Sequence, residues 1–160
     1  MHQNKSLEEI VVDALMERGW HISFAESCTA GLASARLVNV PNASKVFDAS
    51  VVTYANEAKV SYLGVSEETI VQYGVVSEQV AIEMAKGVAK ANSAEVGIGI
   101  SGIAGPGGGT ESKPVGMVCF GFIIGEELFS STCYFGPIGR EKVRNHAVEY
   151  VFETLCQKLK

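Results

Sequence analysis

Residues 96–100 read VGIGI, and the run that follows them, SGIAGPGGGTESKP (101–114), carries five glycines, at 102, 105, 107, 108 and 109. A valine and two isoleucines spaced by glycines make a short strand with small residues, suited to burial on both faces. Such a strand belongs inside a sheet that helices cover from both sides. Working outward, SEQVAIEMAKGVAKAN (77–92) precedes it as an amphipathic helix capped by Ser77. After the glycine loop, VGMVCFGFII (115–124) and ELFSSTCYF (127–135) form a hairpin across Gly125 and Glu126.

The segments nearer the start fit the same plan. SLEEIVVDALMERG opens with a capping box, Ser6 as N-cap and Glu9 three residues on, and Gly19 ends the helix. HISFA (21–25) is a short strand, and GLASARLVNV (31–40) a helix stopped by Pro41. FDASVVTYA (47–55), β-branched and aromatic, reads as a strand. NEAKVSYLG (56–64) reads as a helix with Asn56 as N-cap, SEETIVQYG (66–74) as one or two helical turns, and the last helix spans about 140–159. Helix and strand alternate with one hairpin, so the expected fold is α/β, with a mixed sheet of about five strands covered on both faces.

At 160 residues the chain has the size of one domain and buries enough surface to fold without disulfides or metal. With 47% hydrophobic and 19% charged residues it is a folded globular chain. A net charge of −5 argues against a general nucleic-acid binder. The four cysteines, 28, 119, 133 and 156, form no C-x-x-C pair, and metal-ligand spacings are missing, so free thiols and no metal are expected. No run is long and apolar enough for a membrane span, and the charged first 20 residues do not read as a signal peptide. The expectation is a cytoplasmic, single-domain protein over 1–160.

AESCTAG (25–31) sets Ser27, Cys28 and Thr29 where a strand ends and a helix begins. Unpaired backbone N–H groups at a helix start carry partial positive charge and can hold a developing oxyanion. Capping the helix is the commoner role for Ser or Thr there. A nucleophile also needs a base. His2 sits in the terminal tail, His21 at the far end of its strand, and His146 within the last helix, so none is well placed. Lys59 in TYANEAK is the best candidate, since Ser–Lys pairs are a variant of the serine machinery. With Asn56 as cap, it falls at the third helical position, where the helix dipole opposes a cation, and that opposition together with partial burial would lower its pKa. On position alone a solvated lysine beside Glu57 is the commoner arrangement. Tyr54 could relay a proton or orient a substrate, or be an ordinary strand tyrosine.

The glycine loop lies where α/β folds bind ligands, but it is neither a P-loop nor G-x-G-x-x-G. GREKVR places Arg140 and Arg144 four apart on one helical face, a possible phosphate or carboxylate clamp, or a solvated face in which Glu141 pairs with Arg144.

Taken in order, AESCTAG, SVVTYANEAK, LGVSEETIVQYGVVSEQVAIEMAKG and SGIAGPGGGTESKPVG resemble the CinA carboxy-terminal domain, the nicotinamide mononucleotide deamidase family. The likeness covers about residues 5–158 and suggests the stand-alone form of that domain. It implies a three-layer α/β/α sandwich, hydrolysis of the amide of nicotinamide mononucleotide to nicotinic acid mononucleotide and ammonia, no cofactor, and a homodimer or larger homo-oligomer. It implies Ser27 as nucleophile, Lys59 as base and Tyr54 beside them, with Ser101 and Arg140 at matching positions. The substrate-binding set then comprises Glu26, Thr29, Ala30, Gly31, Ser101, Gly102, Gly105, Arg140 and Arg144. Two positions depart from the family's pattern. Ala30 stands where the first of two glycines is usual, and FGPIGR is one residue longer than F-x-G-[DN]-R and lacks the acid, so either Arg140 or Arg144 could hold the phosphate. The competing reading is a non-catalytic nucleotide-binding or competence-related interaction module on the same fold.

Overall fold

A computed structural model describes residues 4–160; His2 lies outside them. The elements run α1 (Leu7–Arg18), β1 (Ile22–Glu26), α2 (Leu32–Leu37), a 3-10 turn over Ala43–Lys45, β2 (Val51–Val52), α3 (Asn56–Leu63), α4 (Glu67–Tyr73), α5 (Glu78–Ala91), β3 (Val96–Gly102), β4 (Met117–Ile124), β5 (Glu127–Tyr134) and α6 (Arg140–Lys158). The strands form one sheet in the order β2-β1-β3-β4-β5. β1 pairs in parallel with β2 and β3, while β3–β4 and β4–β5 are antiparallel. The expected α/β class and the mixed five-stranded sheet are therefore present.

VGIGI is the middle of the sheet and explains its two different faces. Val96, Ile98 and Ile100 join the large core with Phe24, Phe120, Phe152 and Leu155, beneath the layer of α1, α2 and α6. The glycines turn to the other face, where α5 lies directly on the strand. A Cβ on Gly99 would sit 2.1 Å from the Ala81 carbonyl oxygen, and one on Gly97 2.5 Å from that of Ala85. Alanines at 81, 85 and 89 give α5 a matching small face, so helix and sheet backbones meet without intervening side chains. α3 and α4 then pack on α5.

The capping box at Ser6 is formed, with Ser6 Oγ accepting from Glu9 N–H and Glu9 accepting from Ser6 N–H. Two expected elements are shorter than expected. The helix over 31–40 ends at Leu37, because the chain turns before Pro41 and Asn42 takes φ +74°. The strand over 47–55 keeps only Val51 and Val52. Side chains interrupt its ladder: Phe24 N–H donates to Ser50 Oγ (2.9 Å) and Ser23 Oγ donates to the Ala49 carbonyl (2.6 Å). No helix among the described residues is long and apolar enough to cross a membrane.

Candidate active site

Ser27 stands at the carboxyl end of β1, beside the end of its parallel neighbour β3. Its N–H donates to the Ile100 carbonyl at 3.1 Å, so the turn leaves the sheet fastened to both strands. Open α/β sheets bind ligands at such carboxyl ends. Here a cleft of about 410 Å³ opens, walled by the Ser27 turn, the start of α3, the Gly74–Val76 segment and the glycine loop.

Lys59 enters this cleft from α3. Its residue is 1% exposed, and its ammonium nitrogen lies 3.1 Å from Ser27 Oγ and 2.7 Å from the Thr53 carbonyl, to which it donates. Among the described residues no carboxylate pairs with it. A buried amine without a counter-charge disfavours its protonated form. Burial accordingly lowers its pKa below the ordinary value of 10.5, against a smaller opposing influence of the Cys28 thiol. The start of α3 lies one residue earlier than expected. Ala55, not Asn56, is the N-cap, with no side-chain cap bond; Asn56 is the first helical residue and Lys59 the fourth. Of the expected causes, burial is the one that lowers the pKa here.

Cys28, next to Ser27, is a different case. Its thiol is 5% exposed and desolvation pushes its pKa up to about 11, so it stays protonated near neutral pH. The imidazoles are elsewhere: His21 contacts Asp48 at 2.7 Å and His146 packs against Phe135. Among the described residues, Ser27 and Lys59 are the hydroxyl–amine pair that the cleft brings within hydrogen-bond distance.

The other expected site residues divide into two groups. Tyr54, Ser101, Gly102, Gly105 and Arg140 line the cleft. Arg140 bridges its mouth, with Nη1 donating to the Gly105 carbonyl at 2.8 Å and Nη2 to the Tyr54 hydroxyl at 2.6 Å. Tyr54 is 59% exposed, so it sits at the rim. Ser101 is 2% exposed and donates to the Val75 carbonyl at 2.8 Å, which fixes the opposite wall.

Glu26, Thr29, Ala30, Gly31 and Arg144 do not line the cleft. Glu26 is fully buried, and its carboxylate accepts from Ala33 N–H (2.9 Å), Ser34 N–H (3.2 Å) and Ser34 Oγ (2.7 Å). It replaces the missing side-chain cap of α2, whose N-cap is Gly31. Ala30 takes φ +45°, a region that favours glycine, but its side chain is exposed and does not crowd the cleft. Ala30 N–H is used by the Ser27 carbonyl at 3.0 Å, which removes it as an oxyanion donor. The N–H groups of Cys28 and Thr29 find no protein acceptor among the described residues. Arg144 is held from below, its Nε 2.7 Å from the Cys28 carbonyl and its Nη2 3.3 Å from that of Thr29.

Lys113 lines the cleft although it stands outside the expected site set. It ends the glycine loop, reaches across the cleft and donates to the carbonyls of Tyr73 and Val76, the latter at 2.7 Å. Gly74 makes room for it, since a Cβ there would lie 2.6 Å from the ammonium nitrogen. A lysine beside a proline at a loop end carries no local sign of this; only its place inside the GGGTESKP run was a hint. The cleft is thus lined by Lys59, Lys113 and Arg140 and by no Asp or Glu.

Comparison with known proteins agrees with this architecture. A CinA-like protein of Kosmotoga olearia is 47% identical over 155 residues, which are 97% of this chain and 37% of that protein. The chain therefore spans about a third of the length of the curated relatives it matches. The crystal structure of the competence/damage inducible protein CihA from Agrobacterium tumefaciens has a TM-score of 0.89 at 36% identity, over 97% of both chains. The CinA superfamily protein from Enterobacter cloacae has a TM-score of 0.92 at 33% identity, over 100% of this chain and 97% of that one. The profile of the CinA C-terminal domain matches residues 4–159, the whole of the sheet, its two helical layers and the Ser27–Lys59 cleft, and the chain belongs to that family.

Proposed function

We propose that the chain is an amidohydrolase that converts nicotinamide mononucleotide to nicotinic acid mononucleotide and ammonia, with Ser27 as nucleophile and Lys59 as base. The observation that carries the reading is the buried Lys59 amine, 3.1 Å from Ser27 Oγ and without a carboxylate partner. In its neutral form the amine accepts the Ser27 hydroxyl proton as Oγ attacks the carboxamide carbon. The tetrahedral oxyanion is met by the free N–H groups of the turn. Lys59 returns the proton to the departing ammonia, and water then hydrolyses the acyl-enzyme with Lys59 again as base.

The other end of the substrate carries a phosphate. A cleft with Arg140 and Lys113 on its wall and no carboxylate favours an anion there. Arg144 lies outside the cleft lining, so Arg140 and Lys113 are the cations apart from Lys59 that can hold it, and Tyr54, bonded to Arg140, orients the nucleotide at the rim. Binding energy from the remote phosphate places the amide against Ser27, so nicotinamide alone should be a poor substrate.

The test is ammonia release from nicotinamide mononucleotide by the purified chain and its Ser27→Ala and Lys59→Ala variants. Turnover by the native protein that both substitutions abolish is expected. Ligand binding without turnover by the native protein, unchanged in Ser27→Ala, would leave a nucleotide-binding module instead.

A further inference from the structure

Arg144 has no place in the mechanism so far, yet it touches the residue next to the nucleophile. Its guanidinium holds two successive carbonyls, those of Cys28 and Thr29, at 2.7 and 3.3 Å. The Thr29 carbonyl also accepts from Leu32 N–H at 3.0 Å, whereas the Cys28 carbonyl has Arg144 as its partner. Arg144 comes from α6, in the layer that α6 shares with α1 and α2. Lys59 comes from α3, in the layer built on α5 at the opposite face of the sheet.

In a planar trans peptide the C=O and N–H vectors point in opposite directions. The Cys28 carbonyl belongs to the same peptide group as the Thr29 N–H. Drawing that carbonyl toward α6 turns the Thr29 N–H away from α6. That N–H has no protein acceptor among the described residues, while Thr29 itself is fully buried. A buried unpaired donor is costly unless it serves something.

Resting on the amidase reading above, we infer that Arg144 is a positioning residue: it orients the Cys28–Thr29 peptide so that the Thr29 N–H faces the oxyanion formed at Ser27. The full charge of the guanidinium on the carbonyl also polarises that peptide and strengthens its N–H as a donor. Arg144 is then no phosphate clamp, although its spacing from Arg140 in the sequence suggests one. The two roles separate cleanly. An oxyanion donor acts on the transition state and appears in kcat; a phosphate contact is formed in the ground state as well and appears in KM.

The experiment compares Arg144→Met and Arg144→Lys with the native chain, on nicotinamide mononucleotide and on its phosphate-free riboside. Losing the orientation of one oxyanion donor is expected to lower kcat about 10²-fold in Arg144→Met, with KM within about twofold and the same factor on both substrates. Arg144→Lys, which keeps the charge but reaches one carbonyl, is expected to fall between, and it remains informative where the methionine variant fails to fold. A second measurement does not depend on the substrate: labelling of Ser27 by a fluorophosphonate. There the Oγ–P bond forms, the P–F bond breaks, fluoride leaves, the hydroxyl proton passes to Lys59, and the phosphoryl oxygen occupies the oxyanion position. Its rate is expected to drop by a similar factor in both variants' order. Native protein that labels but does not release ammonia overturns the substrate assignment and leaves the Arg144 role standing. A raised KM confined to the phosphorylated substrate, or unchanged labelling and kcat, overturns the Arg144 role.

Discussion

Replacing Lys59 by methionine tests catalysis and its physical cause in one protein. Methionine keeps most of the buried volume and removes the amine. Without a base, Ser27 is an ordinary alcohol, and kcat is expected to fall by roughly 10²–10⁴. Stability supplies the more searching readout. The substitution leaves the Thr53 carbonyl without the donor that Lys59 provides at 2.7 Å, a loss of about 1–3 kcal/mol for a buried acceptor. Against this stands the cost of burying the ammonium. Because burial lowers the pKa of Lys59, the unfolded chain binds more protons than the folded one between the lowered value and 10.5. In that window the contribution of Lys59 to stability rises with pH, by up to about 1.4 kcal/mol per pH unit. Below it the penalty is constant and full; above 10.5 it is gone. The stability difference between native and Lys59→Met protein, read from urea unfolding between pH 6 and 10, should therefore widen in favour of the native chain as pH rises. Ammonia release by the native protein should increase with pH over the same limb. A difference that stays flat, or that widens toward low pH, would mean that folding does not disfavour the ammonium, and the neutral-base mechanism would fail.

Gly99→Ala places a methyl carbon 2.1 Å from the Ala81 carbonyl oxygen, and backbone must move to admit it. A loss of about 1–3 kcal/mol or more in chemical unfolding is expected, and a neutral result would contradict the direct contact of α5 with the sheet. Glu26→Ala removes three hydrogen bonds at the start of α2 and should cost about 2–3 kcal/mol; Glu26→Gln, which keeps an acceptor, should cost less. With a thiol pKa of about 11 and 5% exposure, Cys28 should resist iodoacetamide at pH 7.5 in the native protein, as peptide mass spectrometry would show; rapid alkylation there would overturn its assignment as an inert neighbour of Ser27.

Much of the fold could be read residue by residue. VGIGI, the capping box at Ser6, the Ser77-capped helix and the hairpin across Gly125 and Glu126 all depend on contacts within a few positions, or on a period of two or 3.6. The same local logic placed Ser27 at a strand-to-helix turn. It overran at 47–55, where β-propensity was present but the hydroxyl of Ser50 took a ladder position from the backbone. Lys59, Arg144 and Lys113 are another matter. Each earns its role from atoms many residues away: Ser27 lies 32 positions from Lys59, Cys28 116 from Arg144, and Val76 37 from Lys113. A lysine's sequence neighbours do not determine whether water reaches its nitrogen. Packing of α3 against the sheet end does, and burial is what turns that ammonium into a candidate base. The sequence by itself determined the elements, their order and the placement of Ser27 at a turn; only the tertiary structure decided which cations line the cleft, which brace the turn and which lose contact with water, because desolvation and hydrogen-bond partnership are properties of the assembled interior.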